Sequence, residues 1–181
     1  MPLQTDIPPT PTHTLRSRAI SLIVLLLIGA TIFTLDRITK LLVLQNLAEY
    51  ESWAPIPALA RLVRITHITN SGAAFGLFEK SGNIFMVVAI LVALAIVYYV
   101  STYPSLPGLV QFSLGLQLGG ALGNMWDRIA FGSVVDFVDI GFWPIFNVAD
   151  SSIVIGVLIL MFWLWQEEER QKQQKATDTP V

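Results

Sequence analysis

GNIFMVVAILVALAIVYYV, residues 82–100, runs for nineteen positions without a charged side chain. A helix rises about 1.5 Å per residue, and a hydrocarbon core of about 30 Å takes about 20 apolar residues to cross. This stretch therefore reads as a membrane span. The rest of the chain agrees with it: 54% of its 181 residues are apolar and only 13% are charged, against about 25% charged in ordinary soluble domains. The charges are clustered and leave other long apolar runs between them, so no soluble-domain reading fits.

Upstream, a proline-rich segment, 1–18, reads as a mobile tail. The run Ala19–Leu35 follows Arg16 and Arg18. It is longer than the usual apolar part of a secretory signal, about 7–15 residues, and no small-residue cleavage site follows it. It reads as a retained first span that continues past Asp36, because LLVLQNL resumes the apolar pattern after Lys40. Downstream of the quoted stretch, STYPSLPG (101–108) has the prolines and glycine of a short turn. A third span runs from Leu109 to about Trp126. The fourth has a purely apolar part, Ile153–Trp165, of thirteen residues. That is about 20 Å of helix, so crossing requires it to start near Phe146 and draw Asn147 and Asp150 into the membrane edge. From Gln166 the chain is polar and is expected to fray. The expected architecture is an α-helical integral membrane protein with four transmembrane helices, residues 19–165, between two tails, 1–18 and 166–181. RLVRITHIT (61–69), alternating and β-branched, predicts a strand in a small extramembrane β element between helices one and two. SVVDFVDI (133–140) is a further extended candidate.

Gly115, Gly119 and Gly123 recur every fourth residue in the third span, a stripe that lets helices approach closely. Tyr98, Tyr99 and Tyr103, with Trp163 and Trp165, suit an aromatic belt on one membrane face; each suits a protein contact equally well. An even number of spans puts both termini on one side. Charge does not orient the chain: Arg16, Arg18, Arg170, Lys172 and Lys175 on the terminal side face Arg37, Lys40, Arg61, Arg64, Lys80 and Arg128 on the other. A net charge of −2 gives no basic footprint for nucleic acid.

Opposite the termini, polar residues gather from every span. Asp36 and Lys40 sit i,i+4 in the first. Asn70 and Gly72 precede the second. Asn124, Asp127 and Arg128 end the third, Asp136 and Asp139 lie in the following loop, and Asn147 and Asp150 open the fourth. Ionisable groups near hydrocarbon cost about 2.5–3.5 kcal/mol each on insertion scales and default to functional hypotheses. The available chemistry is narrow. Cysteine is absent, which excludes a thiolate nucleophile and a Cys-ligated metal. His67 is alone in a predicted strand and reads as packing, and no metal-ligand spacing such as HExxH occurs. Ser71, Ser133, Ser151 and Ser152 lack a partner base and read as caps or turns. Carboxylates remain: two sharing a site do not both ionise readily, so one keeps a proton while the other activates water. A proton-relay transporter is the main rival, disfavoured because the acids lie near one face and no broken-helix repeat is present. An assembly factor packing through the glycine stripe is the second.

DRITK (36–40), NSGAAFG (70–76), GGALGNMWDR (119–128), VVDF (134–137) and FNVADS (146–151) stand in an order that resembles the lipoprotein signal peptidases, also called signal peptidase II. The third and last blocks are long and specific; the two tails lie outside the resemblance. The resemblance implies a bacterial inner-membrane aspartyl endopeptidase, monomeric and without a cofactor or metal. Both termini would be cytoplasmic and the site near the outer face. It would act, against membrane lipid, on prolipoproteins whose future N-terminal cysteine carries diacylglycerol, cutting before that cysteine. By motif position it puts the catalytic pair on Asp136 and Asp150. Asp36, Lys40, Asn70, Gly72, Asn124, Asp127, Arg128 and Asn147 fall on supporting positions. For Asp36–Lys40 and Asp127–Arg128, an ion pair that only closes a helix is an equal reading, and Asn70 with Gly72 also suits a simple turn. The residues alone do not choose between Asp136 and Asp139; the family pattern chooses Asp136.

Overall fold

The computed structural model describes residues 15–72, 82–103 and 105–177. Four helices carry it: α1 Leu15–Asn46, α2 Gly82–Thr102, α3 Gly108–Phe131 and α4 Val148–Thr177. Three short strands, β1 Ser52–Trp53, β2 Arg64–Asn70 and β3 Val134–Asp139, form one antiparallel sheet in the order β1-β2-β3. Among the described residues, three helices are long and apolar enough to cross a membrane: Leu15–Asn46, Ile84–Thr102 and Val148–Lys175. The expected third span, α3, is not among them. Gln111, Ser113, Gln117, Asn124, Asp127 and Arg128 dilute its apolarity, and the reason is its position. It packs against α1, α2 and α4 and buries residues of both kinds along its length, so protein rather than lipid is its main surrounding.

The expected helix limits hold through the middle of the chain and move at its ends. Residues 15–18, expected in the tail, already belong to α1, and residues 1–14 lie outside the described residues. The tail expected to fray from Gln166 is helical to Thr177. Exposed pairs one turn apart, Arg170 with Glu167 and Lys172 with Glu168 and Glu169, line its surface and support the helix in water. The sheet also departs from expectation. The further extended candidate, 133–140, is β3, and it joins the sheet from between α3 and α4, so the sheet is not confined to the α1–α2 connection. β2 starts at Arg64 rather than Arg61, after a 3-10 turn at Pro57–Leu59.

Glycine decides the helix packing. A Cβ on Gly115 would lie 2.6 Å from Ile28 Cγ2, and one on Gly119 would lie 2.6 Å from the Gly29 carbonyl oxygen. The stripe therefore faces α1. Gly119→Leu is expected to cost about 1–3 kcal/mol or more through overpacking, because the nearest obstacle is backbone and cannot rotate away. Thermal melting in detergent measures this. The reference is Gly108→Ala, where an added Cβ meets nothing within 4 Å; equal melting of the two variants would sink the packing argument.

Two apolar clusters hold the layers. Leu25, Ile96, Val100, Val110, Leu114 and Leu118 join α1, α2 and α3. Val43, Val135 and Phe137 join the end of α1 to β3. Between α3 and β3, Gly132 takes φ 75° and donates its N–H to the Arg128 carbonyl at 3.0 Å. This left-handed helix end suits glycine and turns the chain directly into the strand that carries Asp136.

Candidate active site

Strand parity aims the first acid. Side chains alternate across a strand, so Val135 and Phe137, which enter the cluster with Val43, send Asp136 to the other face. Three residues further on, Asp139 falls on the opposite face from Asp136. There it accepts bonds from Arg64 Nε at 2.6 Å, Thr66 Oγ1 at 3.0 Å and the Gly141 N–H at 2.9 Å. Burial works against its charge, but the Gly141 N–H, Arg64 and Thr66 outweigh it and hold the Asp139 carboxyl below its ordinary value. Asp139 braces the sheet.

The second acid is placed by a helix start. Asn147 and Asp150 cap α4 reciprocally: the Asp150 N–H donates to Asn147 Oδ1 at 2.9 Å, and the Asn147 N–H donates to Asp150 Oδ2 at 3.2 Å. This is a capping box built with a shorter acid. It fixes the Asn147 amide so that Nδ2 points outward and donates to Asp136 Oδ1 at 2.6 Å. One residue thus touches both carboxylates.

Two more asparagines work the same way. Asn70 Oδ1 accepts the Gly72 N–H at 3.0 Å, which leaves Nδ2 to donate to Asp136 Oδ2 at 2.9 Å. Because Asn70 pairs with Val134 across the β2–β3 ladder, Asp136 is its diagonal neighbour on the same face. Asn124 Oδ1 accepts Lys40 Nζ at 2.9 Å, and its Nδ2 donates to Asp150 Oδ1 at 2.6 Å. In each case an outer donor orients the amide, and the amide then presents N–H to an acid.

Behind this layer lies a charge cluster in which Asp36, Lys40 and Asp127 are fully buried and Arg37 nearly so. Lys40 Nζ sits 2.8 Å from Asp36 Oδ2 and 2.8 Å from Asp127 Oδ2 as an ion pair with each, and it donates to Asn124 Oδ1 at 2.9 Å. Arg37 Nη1 reaches Asp127 Oδ1 at 2.5 Å. Asp36 Oδ1 also accepts the Ala149 N–H at the start of α4 at 3.0 Å, and Asp127 Oδ2 accepts the Val135 N–H of β3 at 3.3 Å. Two acids and two bases cancel, and the cluster ties α1 and α3 to β3 and α4. Arg37 was absent from the sequence candidates. Its neighbours in DRITK were the available signal, but no spacing rule shows an arginine reaching across to α3.

Burial, and then the neighbouring Asp150 charge, push the Asp136 carboxyl up to about 7, against the opposing bonds from Asn70 and Asn147 and the Lys40 charge. The other polar candidates have the following partners. His67 is buried with Nδ1 3.0 Å from the Leu47 carbonyl. Ser151 and Ser152 donate to the Asn147 and Ala149 carbonyls within α4. Arg128 is half-buried at the end of α3 and donates to the Asn124 carbonyl at 3.3 Å. A carboxyl that favours its neutral form beside a second acid is suited to acid–base work on a water held between them.

Comparison with known proteins agrees with this geometry. The family described as Signal peptidase (SPase) II matches residues 28–166. A lipoprotein signal peptidase of Halothermothrix orenii is 43% identical over 139 residues, 76% of this chain and 92% of that protein. One of Moorella thermoacetica is 40% identical, over 77% of this chain and 91% of that protein. A bacterial membrane enzyme solved in meso at 2.3 Å superposes with a TM-score of 0.75 and 30% identity, covering 87% of this chain and 93% of that one. The fold is thus that of a multi-pass membrane enzyme with apolar helices and a small sheet. The family match runs from the middle of α1 to beyond the apolar part of α4 and takes in the whole polar layer from Asp36 to Asp150, and on that ground the chain belongs to the signal peptidase II family.

Proposed function

We propose that this protein is a membrane aspartyl endopeptidase that removes signal peptides from prolipoproteins, with Asp136 and Asp150 as its catalytic pair. The observation that carries the assignment is Asn147, whose side chain bonds Asp136 and whose backbone N–H bonds Asp150. It holds together two acids that come from different elements. Asp136, whose neutral form is favoured up to about pH 7, keeps the shared proton and donates it to the scissile carbonyl. Asp150 takes the proton from the attacking water. Because the two acids titrate as a pair, these roles describe the state before attack. Asn70, Asn124 and Asn147 orient the acids, and Asp36, Lys40 and Asp127 hold the elements that carry them. Gly72 fixes Asn70.

All four helices cross the bilayer in this reading, with α3 shielded from lipid by the other three, and residues 19–165 form the working unit. The termini are cytoplasmic, the site lies near the outer face of the bacterial inner membrane, and the enzyme acts as a monomer. The substrate carries diacylglycerol on the cysteine that follows the cut. Acyl chains supply about 0.8 kcal/mol per buried CH₂, so even four buried methylenes are worth about 3 kcal/mol, or roughly a hundredfold. Purified protein in detergent is therefore expected to cleave a lipidated precursor about a hundredfold faster than the same precursor without lipid. Equal rates would reject the lipid as a source of binding energy, and no product from either would reject the peptidase reading.

A further inference from the structure

Arg128 differs from the other cations of the polar layer. Arg37 and Lys40 are ion-paired with Asp127, whereas Arg128, one residue further along, makes no ion pair among the described residues. It nevertheless lies within electrostatic reach of Asp150, Asp136 and Asp127. Its guanidinium carbon sits 5.6 Å from the centroid of the Phe85 ring, and one N–H bonds the Asn124 carbonyl.

Phe85 lies in the first turn of α2 and is half-buried, outside both buried apolar clusters. Among described residues 84–95 of this helix none is buried, and its buried anchors, Ile96 and Val100, lie toward the other end. A long arginine side chain with no ionic partner would otherwise sweep through many rotamers. An aromatic face attracts a guanidinium through its quadrupole, and it does so without cancelling the positive charge as a carboxylate would. Among the described residues Arg128 makes one hydrogen bond, which leaves most of its N–H donors for a substrate.

We propose that Phe85 is a positioning residue for the cleavage reaction: its ring holds the Arg128 guanidinium in place, still fully charged, beside Asn124 and the Asp136–Asp150 pair. The inference rests on the proposed peptidase reading. Arg128 is then aimed at the scissile carbonyl oxygen, where partial negative charge develops as water attacks and before the Asp136 proton has been fully delivered, and a donor already in place there acts on the transition state more than on the bound substrate. The contribution of Phe85 therefore appears in kcat rather than in KM.

The test measures kcat, KM and melting temperature on a lipidated precursor for Phe85→Leu, Phe85→Tyr and Phe85→Trp. Leucine keeps apolar bulk without a ring, while tyrosine and tryptophan keep the ring face. Phe85→Leu is expected to lower kcat about fivefold to tenfold, which corresponds to about 1–1.4 kcal/mol, with KM and melting temperature near those of the wild type. Phe85→Tyr and Phe85→Trp are expected to stay within about twofold of wild-type kcat. Wild-type kcat in Phe85→Leu, an equal loss in both aromatic variants, or a loss confined to KM or to melting temperature would overturn the proposal. A wild-type protein that cleaves nothing would instead bring down the peptidase reading itself.

Discussion

Asp136→Asn and Asp150→Asn are each expected to lower turnover of a lipidated precursor by about 10²–10⁴-fold, the usual worth of a positioned acid or base. Both variants should insert and purify as the wild type does. Asparagine keeps the size of aspartate and most of its hydrogen-bonding shape, but it can neither hold nor release the proton that the reaction moves. Asp139→Asn is the control. Its carboxylate is occupied by Arg64, Thr66 and Gly141 on the other face of β3, so a substantial fraction of activity should survive. The pH profile gives a second check. Neutral Asp136 is favoured below about 7, so kcat/KM is expected to fall as pH rises through that value. The same shift has a sign for stability. Folding raises this carboxyl from its ordinary value of 3.8 to about 7, so the folded state binds the extra proton over that window. Stability drawn from this group is full below the window and is lost as pH rises through it; in Asp136→Asn that part of the pH dependence disappears. Turnover in either Asn variant comparable to Asp139→Asn would move the chemistry elsewhere.

Lys40→Met has the second large effect, and it falls on folding before catalysis. Methionine fills much of the volume of lysine, but it leaves Asp36 and Asp127, both fully buried, with Arg37 as their only cation in the cluster. Breaking a buried ion pair by removing one partner costs about 3–5 kcal/mol, because the remaining charge stays buried and uncompensated. The expected result is a much lower melting temperature in detergent and poor recovery of protein. Lys40→Met combined with Asp36→Asn removes the one surplus carboxylate, leaves Arg37 paired with Asp127, and should recover part of that stability. Activity should not return with it, because Asn124 would lose the donor that turns its Nδ2 toward Asp150. A Lys40→Met protein that melts with the wild type would falsify the view that this cluster holds the helices together.

Much of this molecule could be read from its sequence because the relevant physics is local. A nineteen-residue uncharged run, the turn at 101–108 and the small-residue stripe on α3 depend only on residues near one another in the chain. They determined the membrane class, the helices and the close approach of α3 to a neighbour, which the structure identifies as α1. The same reading gathered Asp36, Lys40, Asn70, Gly72, Asn124, Asp127, Arg128, Asp136, Asp139, Asn147 and Asp150 on one layer, and the family pattern preferred Asp136 over Asp139. Tertiary structure decided the rest. Asp139 is occupied because β3 pairs with β2 in a register that sets it opposite Arg64. The Lys40–Asn124 bond spans 84 positions of sequence and the Ala149–Asp36 bond spans 113, so no window along the chain contains them. The amide of Asn124 points toward Asp150 because Lys40, from another helix, occupies its oxygen, whereas Asn70 and Asn147 are oriented by backbone N–H groups two and three residues away and meet Asp136 only through the fold. The polarity of α3, which looks wrong for a helix in lipid, is acceptable because three other helices surround it. Hydropathy and spacing report what a segment prefers by itself, whereas the direction of a buried polar side chain depends on which distant group satisfies it.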